Sequence, residues 1–251
     1  MKIHNLFYFL VIFASSQTLA QSSLPSVTQL QAWFKKPGPL PPWRYLATEK
    51  LHTLVANSDE LGGNHLWYRP AGSTCVVSVP HQFFDKNTLP IGQAVFAQMC
   101  QLLVSNSHHR NHQDEHQESM DLSKRHNNLH HNAILAYQAN FKDAKVFQLH
   151  GFSQSKRSTD KGKLADFIVS QGRRSTPKLQ RLASCLTALS PHSFYYPEQI
   201  SELGGTKNVL HQLPLIPHSF YHIEISAIMR QRLTKESQLM EQFILCLQSI
   251  R

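Results

Sequence analysis

The stretch Thr74-Cys75-Val76-Val77-Ser78-Val79 is a short run rich in β-branched residues, bounded by Ala71-Gly72-Ser73 on one side and Pro80 on the other. Such a run, closed by turn formers, reads as a buried strand. Lys145 to Leu149 (KVFQL), Phe167 to Ser170 and Ser219 to Ser226 (SFYHIEIS) have the same character. Between them lie segments with helical spacing. These are Ile91 to Val104, with Ile91, Val95, Met99 and Leu102 on one face; Leu129 to Phe141; and Pro177 to Leu189, which opens with a proline where a helix tolerates one. Strands alternating with long helical patterns imply crossover connections. The fold class expected is therefore α/β, a mostly parallel or mixed central sheet covered by helices on both faces in a single domain.

Working outward, Leu46 to Val55 has approximately helical spacing, and Gln231 to Ile250 reads as a C-terminal helix with Leu233, Leu239, Phe243 and Leu247 as its core stripe. Lys36-Pro37-Gly38-Pro39-Leu40-Pro41-Pro42 cannot continue a helix and reads as an extended connector. Lys156 to Lys163 reads as a charged loop, and Leu203-Gly204-Gly205 as a turn; Leu203-Gly204-Gly205-Thr206-Lys207-Asn208 either is an ordinary turn or lines a substrate loop. At the start, Lys2, the apolar run Leu6 to Ala14 and the small residue Ala20 form the pattern of a secretory signal peptide. The expected organisation is thus a signal peptide over 1–20, a Pro-rich N-terminal segment over 21–42, and one α/β domain over 43–251, with periplasmic or secreted localisation.

The chain has 251 residues, 25 Lys plus Arg against 16 Asp plus Glu, and 41% hydrophobic residues. That content supports a core and excludes a fully disordered or collagen-like chain. No apolar run reaches the roughly 18 residues a spanning helix needs, so no stable membrane insertion is expected. Cys75, Cys100, Cys185 and Cys246 allow three pairings, among them Cys185–Cys246, and contain no CxxC, which argues against a Cys-based zinc site. Nucleic acid is not expected as a partner. The basic residues Lys156, Arg157, Lys161, Lys163, Arg173 and Arg174 form no recognition motif and are not interleaved with aromatics. There is no phosphate-cradling loop, no GxSxG elbow and no Cys nucleophile with a partner.

Ligand crevices of open α/β sheets lie beyond the carboxyl ends of the strands. Three strand ends carry suitable groups: Val79-Pro80-His81 with Asp85 following, Leu149-His150-Gly151, and His222-Ile223-Glu224. His81, Asp85 and His150 match the inventory of a catalytic zinc site, two imidazoles and a carboxylate with a position left for water. Glu224, in an apolar aromatic strand, suits a general base, and His222, on the same face, a partner that orients it. Arg110 and Arg230 could clamp a substrate carboxylate with two hydrogen bonds each, or serve in surface ion pairs.

This order of His, nearby acid, strand-end His before a small residue, and late-strand Glu resembles the zinc carboxypeptidase-like hydrolases, a group that includes amidohydrolases of the N-formylglutamate type. The resemblance runs from about Thr74 to Arg230. It implies a zinc-dependent hydrolase of an amide or peptide bond in a peptide-like or acidic substrate, with His81 and His150 as metal ligands and Glu224 as general base. The departure is at the second ligand. The carboxypeptidase pattern places its acid three residues after the first His, where this chain has Phe84, and Asp85 is four residues on. Asp121 is the substitute candidate.

The segment 105–128 holds His108, His109, His112, His116 and His126 among polar residues and reads as an exposed loop. His108, His112 and His116 have one-turn spacing, so a dedicated metal site there is the competing reading. Two further functions stay open on the sequence. One is a periplasmic metal- or ligand-binding protein without catalysis, and the other is a degenerate hydrolase.

Overall fold

The computed structural model describes residues 24–56, 64–114 and 117–250; the signal-peptide pattern of residues 1–20 lies outside them. One mixed sheet of nine strands runs through the described residues in the order β1-β2-β3-β5-β4-β6-β9-β7-β8. Its centre is β5 (Cys100–Asn106), β4 (Ser73–Val79), β6 (Lys145–Phe152) and β9 (Phe220–Ser226), mutually parallel. On one flank β1 (Arg44–Ala47), β2 (His52–Val55) and β3 (Asn64–Tyr68) form an antiparallel meander joined to β5. On the other, β7 (Phe167–Ser170) runs antiparallel to β9, and the short β8 (Ser193–Tyr195) lies parallel to β7. The α/β reading and the mixed sheet therefore hold.

The central strands are apolar on both faces because both faces are covered. Val77, Val79, Phe147, Leu149, Tyr221, Ile223 and Ile225 pack into one core with α2 (Thr88–Gln98), α5 (Pro177–Leu189), α6 (Ala227–Lys235) and α7 (Ser237–Gln248). Val76, Leu102, Val146 and Phe220 pack into the other with α1 (Val27–Lys35) and α3 (Leu129–Asn140). A short α4 (Asp160–Leu164) takes up the second half of the stretch read as a charged loop and ends one residue beyond it.

Three readings of the periodicity need correction. Leu46 to Val55 is no helix but β1, a turn and β2, with Thr48 Oγ1 accepting the Leu51 backbone N–H at 3.1 Å to close the turn. Ile91 to Val104 is two elements: α2 ends at Gln98, and Cys100 starts β5, buried along its whole length. A continuous apolar run carries no period that separates a buried helix from a buried strand. Gln231 to Ile250 breaks at Glu236 between α6 and α7. The four cysteines form two disulfides, Cys75–Cys100 between neighbouring strands β4 and β5, and Cys185–Cys246 between α5 and α7.

Candidate metal centre

On the α3 face the central strands change character at a common level. Val76, Val146 and Phe220 are followed two residues on by Ser78, Gln148 and His222, and then by His150 and Glu224. Side chains two apart on a strand share a face, so this switch replaces the apolar core by a polar layer at the carboxyl end of the sheet. His150 and Glu224 are register partners on the adjacent parallel strands β6 and β9.

His81 lies just beyond β4, where Pro80 ends the ladder and the chain curls into a turn in which the backbone N–H of Asp85 donates to the carbonyl of His81 at 2.7 Å. That single i→i+4 turn puts the Asp85 carboxylate beside its own His81 imidazole, so a spacing of four suits this local geometry. Asp85 Oδ2 is 3.5 Å from His81 Nδ1 and 3.5 Å from His150 Nδ1. One ligand atom from each of the three residues lies within 4.8 Å of the others, and all three residues are buried.

The donor set fits a metal ion. Contacts of 3.5 Å are long for hydrogen bonds. They match instead the spacing of about 3.4 Å between ligands held some 2.1 Å from a tetrahedral zinc. The far nitrogens are already engaged: His81 Nε2 contacts Asp121 Oδ1 at 2.7 Å, and His150 Nε2 contacts Gln148 Oε1 at 2.9 Å. A ligating imidazole is normally held in this way by an acceptor on its other nitrogen. Arg110 Nη1, which can only donate, approaches His81 Nδ1 at 3.4 Å and so faces its lone pair.

Asp121, the substitute ligand suggested by the sequence, thus sits on the far side of His81 from Asp85. It comes from the His-rich segment, which is not solvated throughout. Met120 and Leu122 are fully buried, and Asn106 Nδ2 donates to the Met120 carbonyl at 2.7 Å. Asp121 also accepts from Ser123 Oγ at 2.6 Å and from the Arg110 guanidinium. Arg110 itself lies over the Phe84 ring, 5.2 Å from its centroid, at the rim of the cleft. Arg230 is placed differently: its guanidinium donates to the Lys86 carbonyl at 2.7 Å and to the Ile225 carbonyl, clasping the turn of Asp85 to the end of β9.

Electrostatics follow from burial and close pairing. Burial raises the Asp85 carboxyl, but the His150 and His81 imidazoles beside it outweigh this and hold it well below the usual range. Asp121 is held low against burial by His81, Ser123 and Arg110. Burial lowers His81, yet the hydrogen bond to Asp121 and the nearby Asp85 carboxylate prevail and raise it. Burial and the neighbouring His222 bring His150 down to about 4. Glu224 is pushed up by burial and pulled further down by His222 and His150, which leaves it ionised at neutral pH. His222 Nε2 contacts Glu224 Oε1 at 3.2 Å, whereas Glu224 Oε2 is buried with no hydrogen-bond partner among the described residues. An anionic acceptor with an unused lone pair suits a group that takes a proton from water.

A cleft of about 330 Å³ opens over these groups, lined by His81, His150 and Glu224 at its floor and by Arg110, Lys124 and Lys207 at its rim. Gly205, at φ +60°, lies where a Cβ would come within 2.6 Å of the His222 ring, so the 203–208 turn reaches the cleft through a bare backbone. Sequence reasoning missed Gln148 and Ser78, and named Asn208 only as part of the candidate substrate loop. The available signal was a polar amide two residues before His150 in an otherwise apolar strand. Among the described residues, no three-ligand group forms in the His-rich segment.

No protein-family model matches the chain, and no curated protein does. Among solved structures it is similar to an N-formylglutamate amidohydrolase from Ralstonia eutropha JMP134, at 12% identity over 81% of this chain and 97% of that one, TM-score 0.47. It is also similar to a bacteriophage poly-gamma-glutamate hydrolase, at 13% identity over 74% and 87%, TM-score 0.43. A metallo-carboxypeptidase from Burkholderia cenocepacia aligns at 10% identity over 91% and 70%, TM-score 0.37.

Proposed function

We propose that the chain is an exported zinc-dependent hydrolase that cleaves an amide or peptide bond in an acidic, peptide-like substrate. One observation carries the proposal: the converging Nδ1, Oδ2 and Nδ1 donors of His81, Asp85 and His150, with Glu224, whose buried Oε2 has no partner among the described residues, lining the same cleft. Zinc held by the three residues would act as a Lewis acid on the scissile carbonyl and on the attacking water. Glu224 Oε2 accepts the proton of that water and returns it to the leaving amine, while His222 holds Oε1 and fixes the carboxylate's orientation. Arg110, Lys124 and Lys207 line the rim and favour a substrate that brings its own carboxylates. The residue pattern over 1–20 supports export. So does the pairing of all four cysteines, which suits an oxidising compartment.

The test is Glu224→Gln, which keeps the shape and the bond to His222 but removes the base. Turnover of an acidic amide substrate falls by about 100-fold or more while zinc content stays at the wild-type level. Full turnover at normal zinc content would remove Glu224 from the mechanism.

A further inference from the structure

The protonation of His150 can be traced to a backbone amide that lies outside the metal centre. Asn208 caps the 3₁₀ turn Val209–His211, its Oδ1 accepting the N–H of Leu210 at 3.0 Å. A backbone N–H only donates, so that end of the Asn208 amide is oxygen and the other end, Nδ2, is a donor. Nδ2 faces Gln148, and the atom it meets is therefore the acceptor Oε1. The opposite end of the same side chain agrees, with Gln148 Nε2 donating to Ser78 Oγ at 3.0 Å. Ser78 is the register partner of Gln148 on β4, and its hydroxyl contacts His130 Nε2 on α3 at 2.7 Å. Gln148 Oε1 is thus a fixed acceptor, and it lies 2.9 Å from His150 Nε2. Two acceptors cannot bond to each other, so Nε2 carries a ring proton, and in the neutral ring Nδ1 then presents its lone pair toward Asp85 and His81.

We propose that Gln148, clamped by Asn208 and Ser78, is a positioning residue that fixes the Nε2–H tautomer of His150 and so prepares Nδ1 as a metal ligand. Ser78, Gln148, Asn208 and His150 are all buried. Solvent therefore does not supply a substitute acceptor, and the orientation of each amide is set by its neighbours. Metal binding then needs no rotation of the ring and no exchange of its proton. The proposal rests on the metal reading above, but the tautomer belongs to the metal-free protein and is tested there.

The experiment measures the ¹⁵N ring shifts of His150 in zinc-free protein and the zinc affinity by competition with a chelator. It compares the wild type with Gln148→Leu, which has no acceptor, and Gln148→Glu, which keeps one. The wild type and Gln148→Glu show the Nε2–H tautomer, and Gln148→Glu binds zinc more tightly than Gln148→Leu. Gln148→Leu loses the tautomer's signature and roughly 10–100-fold of zinc affinity. An Nδ1–H tautomer in wild type, or in Gln148→Glu should Gln148→Leu fail to fold, overturns the proposal. So does zinc affinity of Gln148→Leu within about twofold of wild type. Wild-type protein that binds no zinc overturns the metal reading instead, and the ring shifts still decide the tautomer.

Discussion

His131, on the first turn of α3, is 2% exposed, and burial is the main reason its pKa falls to about 4, with the charge of His126 adding to the effect against the Leu122 carbonyl. The unfolded chain takes up a proton near pH 6.5, whereas the folded protein resists it until about pH 4. Between those values the unfolded state binds more protons, so stability is full above about pH 6.5 and drains away as pH falls toward 4. For His131 alone the loss by pH 4 is roughly 3 kcal/mol. Urea denaturation of zinc-free protein across this range should show that slope, reduced in His131→Asn; equal slopes would place the protons elsewhere. The division of labour between Asp85 and Asp121 is also a matter of single residues. Spacing alone could not assign them. The turn after Pro80, which carries Asp85 back to His81, and the buried Met120 and Leu122, which aim Asp121 at the far nitrogen, are tertiary facts. His81, His150 and Glu224 were legible because a charged or imidazole side chain at the end of an apolar strand is costly without a purpose. Gln148 was not, because an amide carries neither charge nor metal affinity to mark it.

Among the elements, the strands that place the site were the most legible: β4, β6, β7 and β9 are short apolar runs with clear boundaries. The α2–β5 boundary was hidden by unbroken hydrophobicity, and the β1–β2 hairpin by accidental helical spacing in a segment where strand pairing decides. The junction of β6 with α6 has a tighter requirement. A Cβ at Gly151 would lie 2.1 Å from Arg230 Nη1, so the guanidinium can clasp the Lys86 and Ile225 carbonyls only over a bare backbone. Gly151→Ala therefore displaces Arg230 and loosens the turn that bears Asp85. The expected result is a destabilisation of about 1–3 kcal/mol in urea melts, together with weakened zinc binding. Unchanged stability and zinc affinity would mean that Arg230 moves aside without cost and does not hold that turn.

At the level of the whole molecule, four parallel strands carry the candidate centre while antiparallel additions on both flanks widen the sheet. Helices on both faces then bury the two larger cores, and the polar layer lies where the core on the α3 face gives way to the cleft. The α/β class and the covering helices followed from alternation of strand and helix patterns. The position of the meander β1–β3 and the docking of α1 did not, since both depend on long-range pairing. The account stands on one zinc ion bound by His81, Asp85 and His150. The most direct measurement is elemental zinc analysis of tag-free protein beside the His81→Ala/His150→Ala double variant. The account predicts about one zinc per wild-type chain and none in the variant. Equal zinc in the two proteins, or none in the wild type, would contradict it.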